Sequence, residues 1–133
     1  MDAQNLSKRL AAVAAQVPKG SRLADIGSDH AYLPAHLLMA RQIDFAVAGE
    51  VVEGPFENML KEVEHRGLAD HLLPRLANGL DAIRKEDRID TIAIAGMGGT
   101  LITKILDAGQ EKLEGVKRLI LQPNVGEEGD RKS

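Results

Sequence analysis

The chain has 133 residues, 44% apolar and 28% charged, with a net charge of −3, enough for one compact core and not comfortably for two. With no cysteine it can build neither a disulfide framework nor a thiolate metal site, and a reducing cytoplasm is the default setting. The acidic balance argues against a general nucleic-acid binder, no run of eighteen apolar residues suggests a membrane span, and no internal repeat or low-complexity tract is visible.

Leu6, Leu10, Val13 and Val17 recur at helical spacing, so residues 6–17 read as an amphipathic helix stopped by Pro18 and Gly20. This end of the chain is locally basic, setting Lys8, Arg9, Lys19 and Arg22 against Asp2. RLADIG, residues 22–27, reads as a short strand. PAHLLMARQ continues as a helix with Pro34 near its first turn, where a missing N–H costs nothing. DFAVAGE, residues 44–50, is a second buried strand. Gly54 and Pro55 open a helix that carries Phe56, Met59 and Val63 at helical spacing, and Gly67 is placed to end it in a left-handed cap. LLPRLANG, residues 72–79, is a third strand, which Pro74 assigns to a sheet edge. DTIAIAG is a fourth strand, GGTLITKILDAG a helix closing on Gly109, and VKRLILQPN a fifth strand. Apolar strands alternating with helices imply a mostly parallel sheet covered on both faces, so the class is α/β, doubly wound.

In such sheets the ligand crevice lies outside the carboxyl ends of the strands. Here those positions are Gly27 to Tyr32, Glu50 and Val51, Asn78 and Gly79, Gly96 to Gly99, and Gln122 to Asn124. Glycine allows close approach of a ligand to the backbone, and a carboxylate can accept from both hydroxyls of a ribose. Glu50 follows Gly27 near the roughly 20-residue offset of a ribose-binding acid. The first loop nevertheless breaks the dinucleotide pattern, because G-x-G-x-x-G would need glycine where Asp29 and Tyr32 stand. Asp25 and Asp29 are hostile to a pyrophosphate. They suit a cationic ligand such as S-adenosylmethionine, which this charge argument sets ahead of NAD(P). An NAD(P)-dependent oxidoreductase and a cofactor-binding module without catalysis stay open on these residues alone. His30, His36, His65 and His71 lack the i, i+4 pairing with an acid that a helical zinc site needs, so no metal is expected. Neither G-x-S-x-G nor a P-loop lysine signature occurs.

Five blocks, LADIGSDHAYLP, AGEVVEGPF, NGL, DTIAIAGMGGTLI and LILQPN, resemble in that order the bacterial tRNA (adenine-22-N1)-methyltransferase family. The resemblance implies a class I, Rossmann-like methyltransferase domain over residues 1–124, S-adenosylmethionine as cofactor and tRNA as partner. Residues 125–133 read as a non-matching tail. The family's sheet runs on into a final strand pair and a helical domain, so the reading is of a fold truncated after the fifth strand. Its open edge invites self-association. Carried over by position, Asp25, Gly27, Ser28 and Asp29 shape the methionine side of the pocket, with His30 beside them. Glu50 holds the ribose, Val51 packs on adenine, and Asn78 with Gly79 lies along the adenine edge. Gly96, Met97 and Gly98 stand where adenine methyltransferases place a base-gripping motif, with Ala95 among the cofactor contacts.

Adenine N1 is an unprotonated lone pair at neutral pH, so methyl transfer needs alignment more than a strong base. The product is cationic, and Asp29 is the candidate carboxylate to stabilise it. Asp29 has a second reading as the cap of the following helix, with Ser28 as the competing cap. Tyr32 is either a stacking surface for a flipped-out base or a core aromatic. Lys8 and Arg9 are candidate contacts to tRNA phosphates. Gln122 and Asn124 are candidate substrate contacts, or simply the end of a strand.

Overall fold

The computed structural model describes residues 5–28 and 30–124. Asp29, Asp2 and the tail 125–133 lie outside the described residues. The five expected strands are present as β1 (Arg22–Ile26), β2 (Phe45–Glu50), β3 (Leu72–Leu76), β4 (Thr91–Met97) and β5 (Arg118–Pro123). They form one sheet in the order β3-β2-β1-β4-β5, and every neighbouring pair is parallel. Pro74 sits in β3 at the sheet edge, where its missing N–H costs no ladder bond. The helices are α1 (Lys8–Ala15), α2 (Tyr32–Met39), α3 (Glu53–His65) and α4 (Gly99–Ala108).

Successive strand residues point to opposite faces, and the strands here are apolar on both. Leu23, Ala46, Ala48, Leu72, Ala93 and Ile120 join Val13, Leu33, Leu37, Met59 and Val63 in one core, which places α1, α2 and α3 on that face. Ala24, Ile26, Val47, Ile92 and Ile94 join Ile102 of α4 in the other core. Full burial of each large aliphatic side chain is worth roughly 1.5–3 kcal/mol, so both layers are held chiefly by these contacts.

The link from β3 to β4 is more ordered than the sequence pattern shows. β3 stops at Leu76, and 3₁₀ turns at Gly79–Ala82 and Lys85–Asp87 carry Leu80, Ala82 and Ile83 beneath the second face. A two-pronged ion pair locks this crossing: Arg75 Nη1 and Nη2 donate to the two Asp87 carboxylate oxygens, Nη2 at 2.9 Å. Arg75 also donates to the Ala82 carbonyl at 2.8 Å, and the Arg84 amide donates to Asp87 Oδ2 at 2.7 Å. Arg22 Nε donates to the Asp87 carbonyl at 2.7 Å while its guanidinium lies 4.2 Å over the Phe45 ring centroid. Burial pushes the Asp87 carboxyl up, but the hydrogen bonds from Arg75 and the Arg84 amide, with both arginine charges, hold it below its ordinary value.

The helix ends follow local chemistry. Ser7 Oγ caps α1 by accepting from the Leu10 amide at 3.2 Å. α3 ends in the expected left-handed cap at Gly67, with Leu68 N donating to Val63 O at 2.9 Å and Gly67 N to Glu64 O at 3.1 Å. α2 ends in the same pair of bonds on Arg41, at φ 59°. Its start corrects one expectation: Ala31, left-handed at φ 58°, is the N-cap, and no side chain of the described residues caps the helix. Ser28 is therefore not the cap, because its hydroxyl is committed elsewhere.

Candidate functional site

The sheet order places the topological switch between β1 and β4, whose connections leave in opposite directions and open a crevice at their carboxyl ends. A cavity of about 280 Å³ lies there, lined by Ser7 and Arg9 from the start of α1, Asp25 and Gly27 from the end of β1, and Ala95 and Gly96 from β4. α1 precedes β1 and returns against its direction, which brings the first turn of α1 to this end of the sheet.

Asp25 is only 5% exposed. The Ser28 hydroxyl donates to its Oδ2 at 2.8 Å, and the Ser28 amide donates to the Gly49 carbonyl at 2.9 Å, tying the first loop to β2. Gly27 lies under Met97: a Cβ there would stand 2.0 Å from Met97 Cε. Met97 is half-buried and leans on the second core. Gly96 occupies an irregularity in the β4–β5 pairing at φ 81°, a backbone region that strains any other residue. A Cβ on Gly96 would stand 3.6 Å from Arg9 Nη2, so the Arg9 guanidinium overhangs this turn.

Glu50 ends β2 with Oε2 accepting from the amides of Val51 at 2.7 Å and Val52 at 3.1 Å. The carboxylate is thus held in place while Oε1 takes no part in those bonds. Val51 beside it is 59% exposed, an uncovered apolar surface at the strand end. Asn78 is exposed, and Gly79 has a packing reason for its identity, since a Cβ there would meet Ile105 Cγ2 of α4 at 3.2 Å. Gly98 is the exposed N-cap residue of α4.

Other candidates fall outside the cavity. The His30 and Tyr32 rings stack with centroids 5.1 Å apart, and they line a separate groove between α2 and α3 with Asn58, Lys61 and Glu62. Tyr32 is half-buried and belongs to neither core, which removes its reading as a core aromatic. Lys8 is exposed on α1. Gln122 pairs in register with Ala95, and its Oε1 is buried without a hydrogen-bond partner among the described residues. The Asn124 amide donates to the Met97 carbonyl at 2.7 Å. Among the described residues no cluster of His, Asp or Glu could hold a metal ion, and no helix is long and apolar enough to cross a membrane. Sequence reasoning missed Ser7, Leu10 and Leu33 as lining residues. The signal for Ser7 was present, because a serine just before a helical pattern marks its start.

A family model for tRNA (adenine(22)-N(1))-methyltransferase, TrmK, matches residues 23–132. The chain is 50% identical over 125 residues to the tRNA (adenine(22)-N(1))-methyltransferase of Bacillus subtilis (strain 168), covering 94% of this chain and 52% of that protein. Among solved structures, Streptococcus pneumoniae Sp1610 in complex with S-adenosyl-L-methionine is similar with a TM-score of 0.87 and 54% identity, covering 90% of this chain and 56% of that one. M. capricolum TrmK in complex with S-adenosyl-homocysteine gives 0.75 and 38%, covering 80% and 48%. The chain spans about half the length of the relatives it matches.

Proposed function

Because the chain belongs to the tRNA (adenine(22)-N(1))-methyltransferase family, we propose that residues 1–124 bind S-adenosyl-L-methionine at the β1–β4 crevice and serve methylation of N1 of adenine-22 in tRNA. The observation that carries this reading is the buried Asp25 carboxylate in a glycine-walled cavity at the switch point. A pyrophosphate is repelled by such a group, whereas a ligand bearing an ammonium and a sulfonium is attracted. This is also what disfavours NAD(P).

S-adenosyl-L-methionine supplies the electrophilic methyl group; the chain supplies position. Glu50, oriented by the Val51 and Val52 amides, accepts from the ribose hydroxyls with Oε1. Val51 packs on adenine, and Asn78 lies along the adenine edge. Asp25, Ser28 and Asp29 border the methionine end, and Gly96, Met97 and Gly98 border the target base. N1 lies on the pairing edge of adenine, so the nucleotide must leave its stack to react. Asp29 stabilises the positive charge of the product. Gln122 and Asn124, at the carboxyl end of β5, are taken as contacts to the substrate. Lys8 meets tRNA phosphate, in the cytoplasm where tRNA matures.

Incubation with unmodified tRNA and labelled S-adenosyl-L-methionine tests the reaction. Label should enter tRNA carrying adenine at position 22 and not a variant with guanine there. Cofactor binding without transfer would overturn the catalytic part and leave a binding module. In an active preparation, Asp29→Ala methylating at an undiminished rate would remove Asp29 from the chemistry.

A further inference from the structure

We propose that the chain carries a second ligand site, at the opposite end of the sheet from the crevice, which takes a nucleotide by its phosphate. The segments that lead into β4 and β5 face each other there across a cavity of about 530 Å³, a size that admits a small organic ligand. Arg84, Lys85 and Arg88 line one wall with Ile83 and Ile89, and Glu111 and Glu114 line the other. The fold holds these walls in place. Asp87 accepts from the Arg84 amide at 2.7 Å and is itself clamped by Arg75. Lys112 Nζ donates to the Ile83 carbonyl and ties one wall to the other. Arg88, left-handed at φ 53°, turns the chain so that Ile89 is buried while Arg88 stays exposed at the cavity.

Arg84, Lys85 and Arg88 gather positive charge in a chain whose net charge is −3. Arg22, Arg66 and Arg75 are engaged with protein acceptors. The side chains of Lys85 and Arg88, by contrast, form no hydrogen bond or ion pair with a described residue. A carboxylate is satisfied by one guanidinium fork, whereas two guanidinium groups and an ammonium match the terminal oxygens of a phosphate. The same wall repels a metal cation. Glu111 and Glu114 oppose a bare polyanion but accept from ribose hydroxyls or an exocyclic base amine. A nucleoside monophosphate offers its phosphate to the cationic wall and those donors to the acidic one. Such a unit is met free in solution or as part of an RNA strand.

Calorimetric titration of the chain with cytidine 5′-monophosphate, without and with saturating S-adenosylhomocysteine, tests the site independently of the cofactor reading. Wild type should bind with submillimolar affinity in both cases. Replacing Arg84→Ala and Arg88→Ala together should weaken binding about 10-fold or more, as should replacing the probe by cytidine or by inorganic phosphate. Both side chains are exposed, and the Arg84 amide bond to Asp87 survives the change, so the urea midpoint should stay close to that of wild type. A tetracytidylate with a free 5′-hydroxyl that binds as tightly as the mononucleotide, and loses affinity in the same variant, assigns the site to RNA. One that binds more weakly assigns it to free nucleotide. No saturable binding of either probe, competition by S-adenosylhomocysteine, or unchanged affinity in the double variant overturns the proposal.

Discussion

The Asp87 carboxylate is 4% exposed and accepts from both arms of Arg75 and from the Arg84 amide. Removing its charge leaves the mostly buried Arg75 guanidinium without a counter-charge, and breaking such a pair costs about 3–5 kcal/mol. Asp87→Asn should lower the urea midpoint at pH 7 correspondingly. The Asp87 pKa is lowered from its ordinary value of 3.8 in the fold, so its charge-dependent stabilisation is fully present above that value. It is lost as pH falls through the depressed folded value. Urea titrations at pH 7, 5, 4 and 3 should therefore show the gap between wild type and Asp87→Asn narrowing below about pH 4. Glu50 gives a second test: charged hydrogen bonds are worth roughly 1.5–3 kcal/mol, so Glu50→Gln should weaken S-adenosylhomocysteine binding about tenfold or more. Asp25 and Glu50 were legible in the sequence because each lies in or directly after an apolar strand. Asp87 was not, because RKEDR reads as a solvated charge run and its partner Arg75 is brought to it only by the fold.

Helix and strand identities were legible wherever apolar spacing was strong, and their ends were legible only where the chemistry is local. Gly67 announced its cap; Arg41 adopts the same left-handed geometry with no glycine to signal it. The steric cost of that region for an L-residue is about 1–2 kcal/mol, so Arg41→Gly should stabilise the protein by about 1 kcal/mol and raise Tm by a few degrees. An unchanged or lower Tm would contradict this. Ser7→Ala should act in the opposite sense, costing about 1 kcal/mol through the lost α1 cap. The 3₁₀ turns between β3 and β4 left no trace in the pattern because runs of three or four residues are too short for a helical period. The same brevity let the sequence reading extend the third strand to Gly79, past its end at Leu76.

Among the described residues the sheet ends on one side at β5, where Leu119 and Leu121 are 40% and 41% exposed. We propose that this edge pairs with a second copy of the chain, since unpaired strand groups beside apolar side chains template association. Light scattering should show mass rising with concentration, and Leu121→Lys should suppress the rise; a single monomer mass throughout would refute the pairing. The parallel order that creates the crevice was legible from alternating strands and helices. The meeting of Arg9 with Gly96 was not, because α1 and β4 are distant in sequence and approach only when both pack on the sheet. What the crevice holds is decided by calorimetric titration of the wild-type chain with S-adenosylhomocysteine and, separately, with NADH. One equivalent of S-adenosylhomocysteine should bind and NADH should not; binding of NADH, or of neither ligand, would contradict the assignment of this site to a methyl donor.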